Sequence, residues 1–367
     1  MTVAGVYIES FFIRIFMNGK RMKKKVTIID LARKLNMAKS TVSRALSDHP
    51  RISNETKQAV KDLAQKLEFM PNTMAVGLSK QKSFILGVIV PGIVNHFFAS
   101  VIDGIEDVAY EEGYKVIICK SDESYEREVI NTTALASQRV DGLLISLSMN
   151  TRNVDHLASL RKKGIPVVMF DRVSTDLPVS KVYTDDMSGA FDAVDFLIKS
   201  GYKRIAHLSG PPGLLITQNR TKGYLKALKK HQLAVPENYI VPGDMSLPGG
   251  KEAMLQLLEL PLRPQAVFCA NDQMAIGALQ VIRAHKLRIP DDIALVGFSN
   301  EPVTAIAHPP ITTVHQPAFD VGREACRLLI QELQSKKPSK PQEKILKTKL
   351  VERASTGQPK KRKAKKP

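Results

Sequence analysis

The sequence predicts an α/β protein in two parts: an all-α unit near the N-terminus, joined by a hinge to a two-lobed body of parallel sheets. Three observations carry this. Residues 26–70 contain three short apolar stripes at helical spacing, each behind a helix-start signal. From Ser83 onward, short apolar runs alternate with amphipathic stretches, the grammar of doubly wound sheets. And 367 residues with 43% apolar content leave roughly 290 residues for the body, enough for two cores.

In the first part, Thr27 caps a helix, with Asp30 three residues on returning the bond, and Ile28, Leu31, Ala32 and Leu35 share one face. Asn36 ends it, because asparagine tolerates the left-handed turn. A second helix, from about Lys39 to Leu46, turns Val42, Ala45 and Leu46 inward and leaves Lys39, Ser40, Thr41, Ser43 and Arg44 outward. The pair is a helix-turn-helix, whose second helix enters the DNA major groove. Ser53 caps a third helix with Thr56, Ala59, Val60, Leu63, Ala64 and Leu67 on its apolar face, stopping near Pro71. The hinge, residues 71–82, contains a segment from Asn72 to Leu78 too short to be helical alone in water. Gly77 weakens it by a further ~1 kcal/mol relative to alanine.

In the body, apolar runs at 84–90, 115–119, 142–146, 166–170, 204–208, 266–269 and 293–298 read as buried strands. Amphipathic helices are expected at 97–111, 125–138, 187–199, 218–231, 272–285 and 318–334. No short-period repeat is visible, which argues against a solenoid.

Charge divides the chain in the same way. The net charge is +18, but residues 1–82 carry an excess of +10, residues 336–367 an excess of +11, and the middle −3. A basic end beside a helix-turn-helix suits phosphate contact and salt-sensitive binding. Residues 353–367, with the run from Lys360 to Lys366, have nothing to bury and are expected to be a disordered basic tail. Cys119, Cys269 and Cys326 are widely spaced, mostly in apolar runs. They are expected to be packed thiols in a reducing cytoplasm rather than a disulfide frame or metal site. The extension 1–25 is too short and interrupted to span a membrane, and its basic cluster, residues 20–25, follows the apolar part, unlike a signal peptide. Met22 lies four residues before Val26, where the first helix signal begins, so translation is expected to begin there.

Ser40-Thr-Val-Ser-Arg-Ala-Leu46, followed by Pro71-Asn72 with Ala75 and Leu78, resembles the headpiece of the LacI/GalR family of bacterial transcription regulators. The similarity continues at Asn95-His-Phe-Phe98, Phe170-Asp-Arg172, Ala270-Asn-Asp-Gln-Met-Ala275, Val296-Gly-Phe298 and Pro310-Ile-Thr-Thr-Val314. It covers roughly residues 26–352. The resemblance implies a periplasmic-binding-protein-like core at 83–352, with lobe 1 at about 83–184 and 316–338 and lobe 2 at about 185–312 and 342–352. The chain would cross near Thr184-Asp185, near Thr312 to Gln316, and near Pro338 to Pro341. It further implies a homodimer on a pseudo-palindromic double-stranded operator; a C-terminal leucine heptad for a tetramer is absent.

The DNA-binding candidates are Thr27, Lys39, Ser40, Thr41, Ser43, Arg44, Asn72, Ala75 and Leu78. By resemblance, Lys39 and Ser40 read base edges, with Arg44 further along. Lysine and arginine suit the guanine acceptors, while Thr41 and Ser43 suit phosphates. Where relatives carry a serine helix cap, this chain has Ala38. Leu78 is expected to wedge between base pairs from the minor groove. Asn72 would contact phosphates or cap the hinge helix, and Ala75 would keep the two hinge helices of a dimer close.

Parallel sheets bind ligands beyond the carboxyl ends of their strands. That rule selects Asp171 and Arg172, Asn271 and Asp272, Ser299 and, past the first strand, the aromatic platforms Phe97 and Phe98. Arg220 joins them by resemblance, and Met245 occupies the region where some relatives place a stacking aromatic. Asp272 has an equally simple alternative as a helix cap. Polar groups with aromatic platforms suit a sugar or sugar derivative. Ser299 replaces the aspartate of better-known relatives, which, with Arg172 and Arg220 nearby, leans toward an anionic one such as a sugar acid or phosphate.

No catalytic constellation occurs at a telling spacing, and neither cofactor nor metal is called for. The sequence is therefore expected to encode a ligand-responsive, sequence-specific DNA-binding regulator, a repressor by family habit. The alternative is a soluble sugar-binding receptor without DNA activity, which would not need residues 26–78.

Overall fold

The computed structural model describes residues 26–69, 82–236, 238–335 and 339–357. The N-terminal extension, the hinge residues Asn72, Ala75 and Leu78, and the lysine-rich end from residue 358 lie outside the described residues, but 353–357, expected in the disordered tail, are packed: Ser355 is fully buried and Arg353 donates to the Ile311 carbonyl and Asn300. The chain divides into two compact units, Met1–Lys82 and Ser83–Pro367.

The first unit is a three-helix cluster: α1 (Ile28–Lys34), α2 (Lys39–Leu46) and α3 (Asn54–Lys66). Thr27 and Asp30 form the expected capping box, and Asn36 takes a left-handed φ of 50° just past α1. Ser53 caps α3 by accepting the Thr56 N–H. Ala38 supplies no side-chain cap to α2. Leu31, Ala32, Val42, Ala45, Val60 and Ala64 make the core, and Lys61 reaches back to Asp48 at 2.9 Å to tie α3 to the preceding turn. Ala59, expected on the buried face of α3, is exposed; the stripe narrows to Val60, Leu63 and Ala64 because so small a bundle buries little more than a hundred-degree face.

The second unit contains two six-stranded sheets. The first is built from β1 (Ile85–Val90), β2 (Lys115–Lys120), β3 (Gly142–Ile145), β4 (Val167–Phe170), β5 (Ser180–Thr184) and β11 (Glu343–Leu346), in the order β11-β5-β4-β3-β1-β2. The second contains β6 (Ile205–Ser209), β7 (Ile240–Pro242), β8 (Ala266–Cys269), β9 (Ala294–Ser299), β10 (Thr312–His315) and β12 (Lys349–Val351), ordered β12-β10-β9-β8-β6-β7. Every pairing is parallel except β10 with β12. Helices cover both faces of each sheet, so each lobe has two apolar clusters, one on either side.

In the first lobe, α4 (His96–Glu111) and α12 (Ala318–Gln334) cover one face, and α5 (Tyr125–Ser137) and α6 (Asp155–Lys162) the other. The α4 and α12 backbones meet at glycines: a Cβ on Gly104 would sit 2.0 Å from the Phe319 carbonyl oxygen, and one on Gly322 2.0 Å from that of Val101. In the second lobe, α7 (Asp186–Lys199) and α8 (Leu215–Lys230) lie on one face, α9 (Leu247–Glu259) and α10 (Asp272–Ala284) on the other, and the short α11 (Pro302–Ile306) follows β9. Cys269 and Cys326 are buried and Cys119 half-buried, none in a disulfide. Burial raises all three thiols, Cys326 to about 12, so they are protonated packing groups.

The chain crosses between lobes after β5 and after β10, at the expected places. The third crossing is displaced. Residues 343–346, expected in lobe 2, form β11 against β5 of the first lobe, with Leu346 opposite Thr184, while Lys349 already pairs with His315 of the second. The crossing is therefore at residues 347–348, not 338–341. The charged Glu343-Lys344-Ile345-Leu346 satisfies an otherwise open sheet edge, where one face needs little burial.

Candidate functional site

The helix-turn-helix presents Lys39, Ser40, Ser43 and Arg44 exposed on one side of α2, with Thr41 half-buried at its base. The buried positions Val42 and Ala45 lock the opposite side into the three-helix core, which makes the outward face rigid. Thr27 stands differently. Its hydroxyl donates to Asp30 Oδ2 at 2.7 Å and accepts the Asp30 N–H, so it is committed to the α1 cap.

In the two-lobed unit, Asp171, Asn271 and Ser299 follow the carboxyl ends of β4 and β8 or end β9, and Phe97 and Phe98 open α4 after β1. Several residues of this region take positive φ without being glycine, among them Glu123 (φ 56°), Asp171 (φ 56°), Met245 (φ 65°), Ser299 (φ 122°) and Asn300 (φ 57°). Strain of this kind concentrates where geometry serves function.

Arg220 and Asp186 form the centre. Both are nearly sealed, at 3% and 2% side-chain exposure. Arg220 Nε and Nη2 donate to Asp186 Oδ1 at 2.9 and 2.7 Å, Nη1 donates to the Ala270 carbonyl at 2.6 Å, and the guanidinium lies 3.9 Å from the Phe298 ring centroid. Asp171, almost fully buried, sits in the field of Arg172, Asp186 and Arg220. Burial pushes its carboxyl up to about 6, Asp186 adds to the rise, and the two arginines and Ser146 oppose it. Asp186 is likewise raised, first by burial, against the pull of Arg220.

Asn271 caps α10 by accepting the Met274 N–H at 2.9 Å and donates Nδ2 to the Met245 carbonyl at 2.7 Å. Ser299 Oγ donates to Gln316 Oε1 at 2.9 Å, and Gln316 Nε2 donates to Thr184 Oγ1 at 2.8 Å, a polar chain from the second lobe, through the crossing, to the first. Phe97 and Phe98 meet edge to face at 5.4 Å, and Arg172 lies over Phe98 at 5.7 Å. The fold thus puts Phe97, Phe98 and Arg172 in contact in the first lobe and Asp171 in the field of Arg172 and Arg220, while Asn271 and Ser299 bond to Met245 and Gln316 at their own strand ends.

Two expected cleft residues are otherwise employed. Asp272 is fully buried inside the second lobe, where Oδ2 accepts the Glu301 N–H and Oδ1 the Thr313 hydroxyl, both at 2.7 Å. It fastens α11 and β10 to α10. Nor is it the α10 cap, which is Asn271. Met245 belongs by its side chain to the apolar core of the second lobe; its backbone carbonyl is what faces Asn271. Asp186, Gln316 and Thr184 join the site from the two crossings, and that position is their signal in the sequence.

A cavity of 330 Å³ opens between the lobes, lined by Ser148, Thr151, Asn153 and Arg172 from the first and Leu214 and Gln218 from the second. Of the residues chosen by strand end, Arg172 is the one on its wall. A larger cavity of 760 Å³ is framed by Tyr202, Arg204, Gln265 and Ile293. These precede β6, β8 and β9, at the amino ends of the strands, the wrong end for a ligand site in a doubly wound sheet.

Residues 27–72 match the family of bacterial regulatory proteins of the lacI family, and residues 194–356 match the periplasmic binding protein-like domain. The HTH-type transcriptional repressor CytR of Escherichia coli K12 is 34% identical over 319 residues, covering 87% of this chain and 93% of that protein. Among solved structures, a transcriptional regulator CelR–cellobiose complex is 30% identical with a TM-score of 0.70, covering 90% of this chain and all (100%) of that one. The lac repressor dimer bound to operator and an anti-inducer is 26% identical with a TM-score of 0.82, covering 91% of this chain and 100% of that chain. The chain belongs to the LacI family of bacterial regulatory proteins.

Proposed function

We propose that this protein is a ligand-responsive, sequence-specific DNA-binding transcriptional repressor that senses a sugar-like metabolite between its lobes. The observation that carries the reading is the pairing, in one chain, of an exposed basic α2 face with an interlobe set of aromatic and charged groups. Either alone fits several functions; a receptor without DNA activity has no use for the first. The relatives agree with it: one is a repressor, one binds cellobiose, and one is a dimer on operator DNA.

On DNA, Lys39, Ser40 and Arg44 read base edges, and Thr41 and Ser43 hold phosphates. Thr27 positions α1 through its cap. A homodimer places two such units on a pseudo-palindromic operator. Asn72, Ala75 and Leu78 complete the grip, with Leu78 as the minor-groove wedge. In the body, Asp171, Arg172, Arg220 and Asn271 orient the effector and Phe97 and Phe98 stack on it, while Ser299 acts through Gln316 on the crossing. The domain limits follow: headpiece 26–70, hinge 71–82, and a two-lobed core from 83, with residues 343–346 assigned to the first lobe.

Effector binding biases the relation between lobes and, through the dimer, the spacing of paired hinge segments. The same free energy couples both sites, so DNA must alter effector affinity by the same factor. The matched relative is a repressor, not an enzyme, and no catalytic step enters this mechanism. No helix among the described residues is long and apolar enough to cross a membrane, and we place the protein with DNA in the cytoplasm.

Selection of duplexes from a random pool, followed by footprinting, tests the proposal. Two protected half-sites related by symmetry are expected; uniform weak protection, as from a nucleic-acid-coating protein, would refute it.

A further inference from the structure

An arginine taken out of water needs a counter-charge, from the protein or from its ligand. Arg172, on the wall of the interlobe cavity, has only 9% of its side chain exposed. Its Nη1 donates to both carboxylate oxygens of Glu123, at 2.8 and 2.7 Å. That carboxylate is itself fixed: Glu123 Oε2 accepts the Met149 N–H at 2.8 Å, and the Glu123 carbonyl accepts Asn150 Nδ2 at 2.9 Å. Met149 and Asn150 belong to the loop whose neighbours Ser148 and Thr151 form the same wall. Arg172 Nε, by contrast, is buried without an acceptor.

We infer that Glu123 sets the charge class of the effector: by neutralising Arg172, it makes the cleft select an uncharged polyhydroxylated ligand and reject anions. The inference rests on the interlobe cleft being the effector site. A neutral hydroxyl needs no counter-charge beside an arginine that Glu123 already pairs, whereas a carboxylate or phosphate does. An anion brought to Arg172 would also meet Glu123. At about 5 Å and an effective dielectric of about 20 that repulsion is worth roughly two orders of magnitude in affinity, enough to cancel the attraction of Arg172 and leave the anion's desolvation cost uncompensated. The wider balance points the same way, since Glu123, Asp171 and Asp186 face Arg172 and Arg220. The anionic ligand toward which Ser299, Arg172 and Arg220 lean in the sequence alone is therefore disfavoured, because both arginines are already paired within the protein.

The test uses full-length wild type and Glu123→Gln, titrated with matched pairs: cellobiose and cellobionate, ribose and ribose 5-phosphate, glucose and glucuronate, galactose and galacturonate. Calorimetry gives the ratio of dissociation constants within a pair. Wild type is expected to prefer the neutral member by at least about tenfold, and the variant to narrow or invert that ratio by at least about tenfold. Wild type preferring the acid overturns the inference, as does an unchanged ratio in a folded variant. Glu123→Ala, which also frees Arg172 but brings no amide donor against it, replaces the glutamine variant if that one does not fold. Should no member of any pair bind any form, the cleft is not a sugar site, and the functional reading fails rather than the role of Glu123 within it.

Discussion

Replacing Asp186 by asparagine tests the buried centre of the site. The two partners are 3% and 2% exposed, so solvent screens their interaction little, and Asp186 Oδ1 takes two of the Arg220 hydrogen bonds. Asparagine keeps an oxygen acceptor but removes the charge, leaving the buried guanidinium with neutral acceptors and the Phe298 face but without its ion-pair partner. Breaking a buried pair from one side costs about 3–5 kcal/mol, whereas replacing both partners with apolar groups of similar volume is commonly neutral or stabilising. D186N is therefore expected to lower the melting temperature of the body by roughly 6–15 °C. The double variant R220M/D186L should recover most of that loss yet bind no effector, because the polar group is gone. Thermal unfolding followed by circular dichroism, with calorimetry against a stabilising sugar, reads both effects. A D186N midpoint within about 1 °C of wild type would refute the burial argument. A double variant that still binds would refute the assignment of Arg220 to the ligand.

Three other outcomes follow. Asp171 and Asp272 are both pushed up to about 6, first by burial. Their protons are thus held more tightly in the folded state than near the unfolded value of about 3.9. The stability they contribute is fully present below pH about 4 and is lost as pH rises through about 6. Denaturant unfolding between pH 4 and 6 should show that fall, D171N should make it shallower, and a D171N slope equal to that of wild type would contradict it. Arg44→Met should cost about 1–3 kcal/mol in operator affinity and relax preference at one base position, which selection with the variant would reveal as an unchanged consensus if wrong. Leu78→Ala should lose most operator affinity while leaving effector binding intact; mobility shifts equal to wild type would dispose of the wedge.

What could be read in advance followed from local signals. Thr27, Asn36 and Ser53 announce their helix ends because a cap is satisfied within three residues. The strands packed on both faces announce themselves as apolar runs. β5, β7, β10, β11 and β12 do not: β7 is three residues long, β10 buries threonines, and the others alternate or carry charge toward the sheet edges. α6, α9 and α11 lie outside the expected helices; α9 starts at Leu247-Pro-Gly-Gly250, where proline in the first turn is favourable.

The site divides in the same way. Asp171, Arg172 and Asn271 stand at strand ends, where the sequence expectation put them; Arg220 entered by the family resemblance. Asp272 was misplaced because adjacency along the chain says nothing of direction, and its carboxylate turns inward to Thr313. Asp186 and Glu123 were not read, because their partners stand 34 and 49 positions away and only the folded chain brings them together.

The central claim is that cleft and DNA share one equilibrium. It is tested most directly by fluorescence anisotropy of a selected operator duplex with the full chain, titrated with and without a sugar that stabilises the body. The dissociation constant is expected to change by about fivefold or more, in either direction, at saturating sugar. A saturating, body-stabilising sugar that leaves operator affinity unchanged would contradict it.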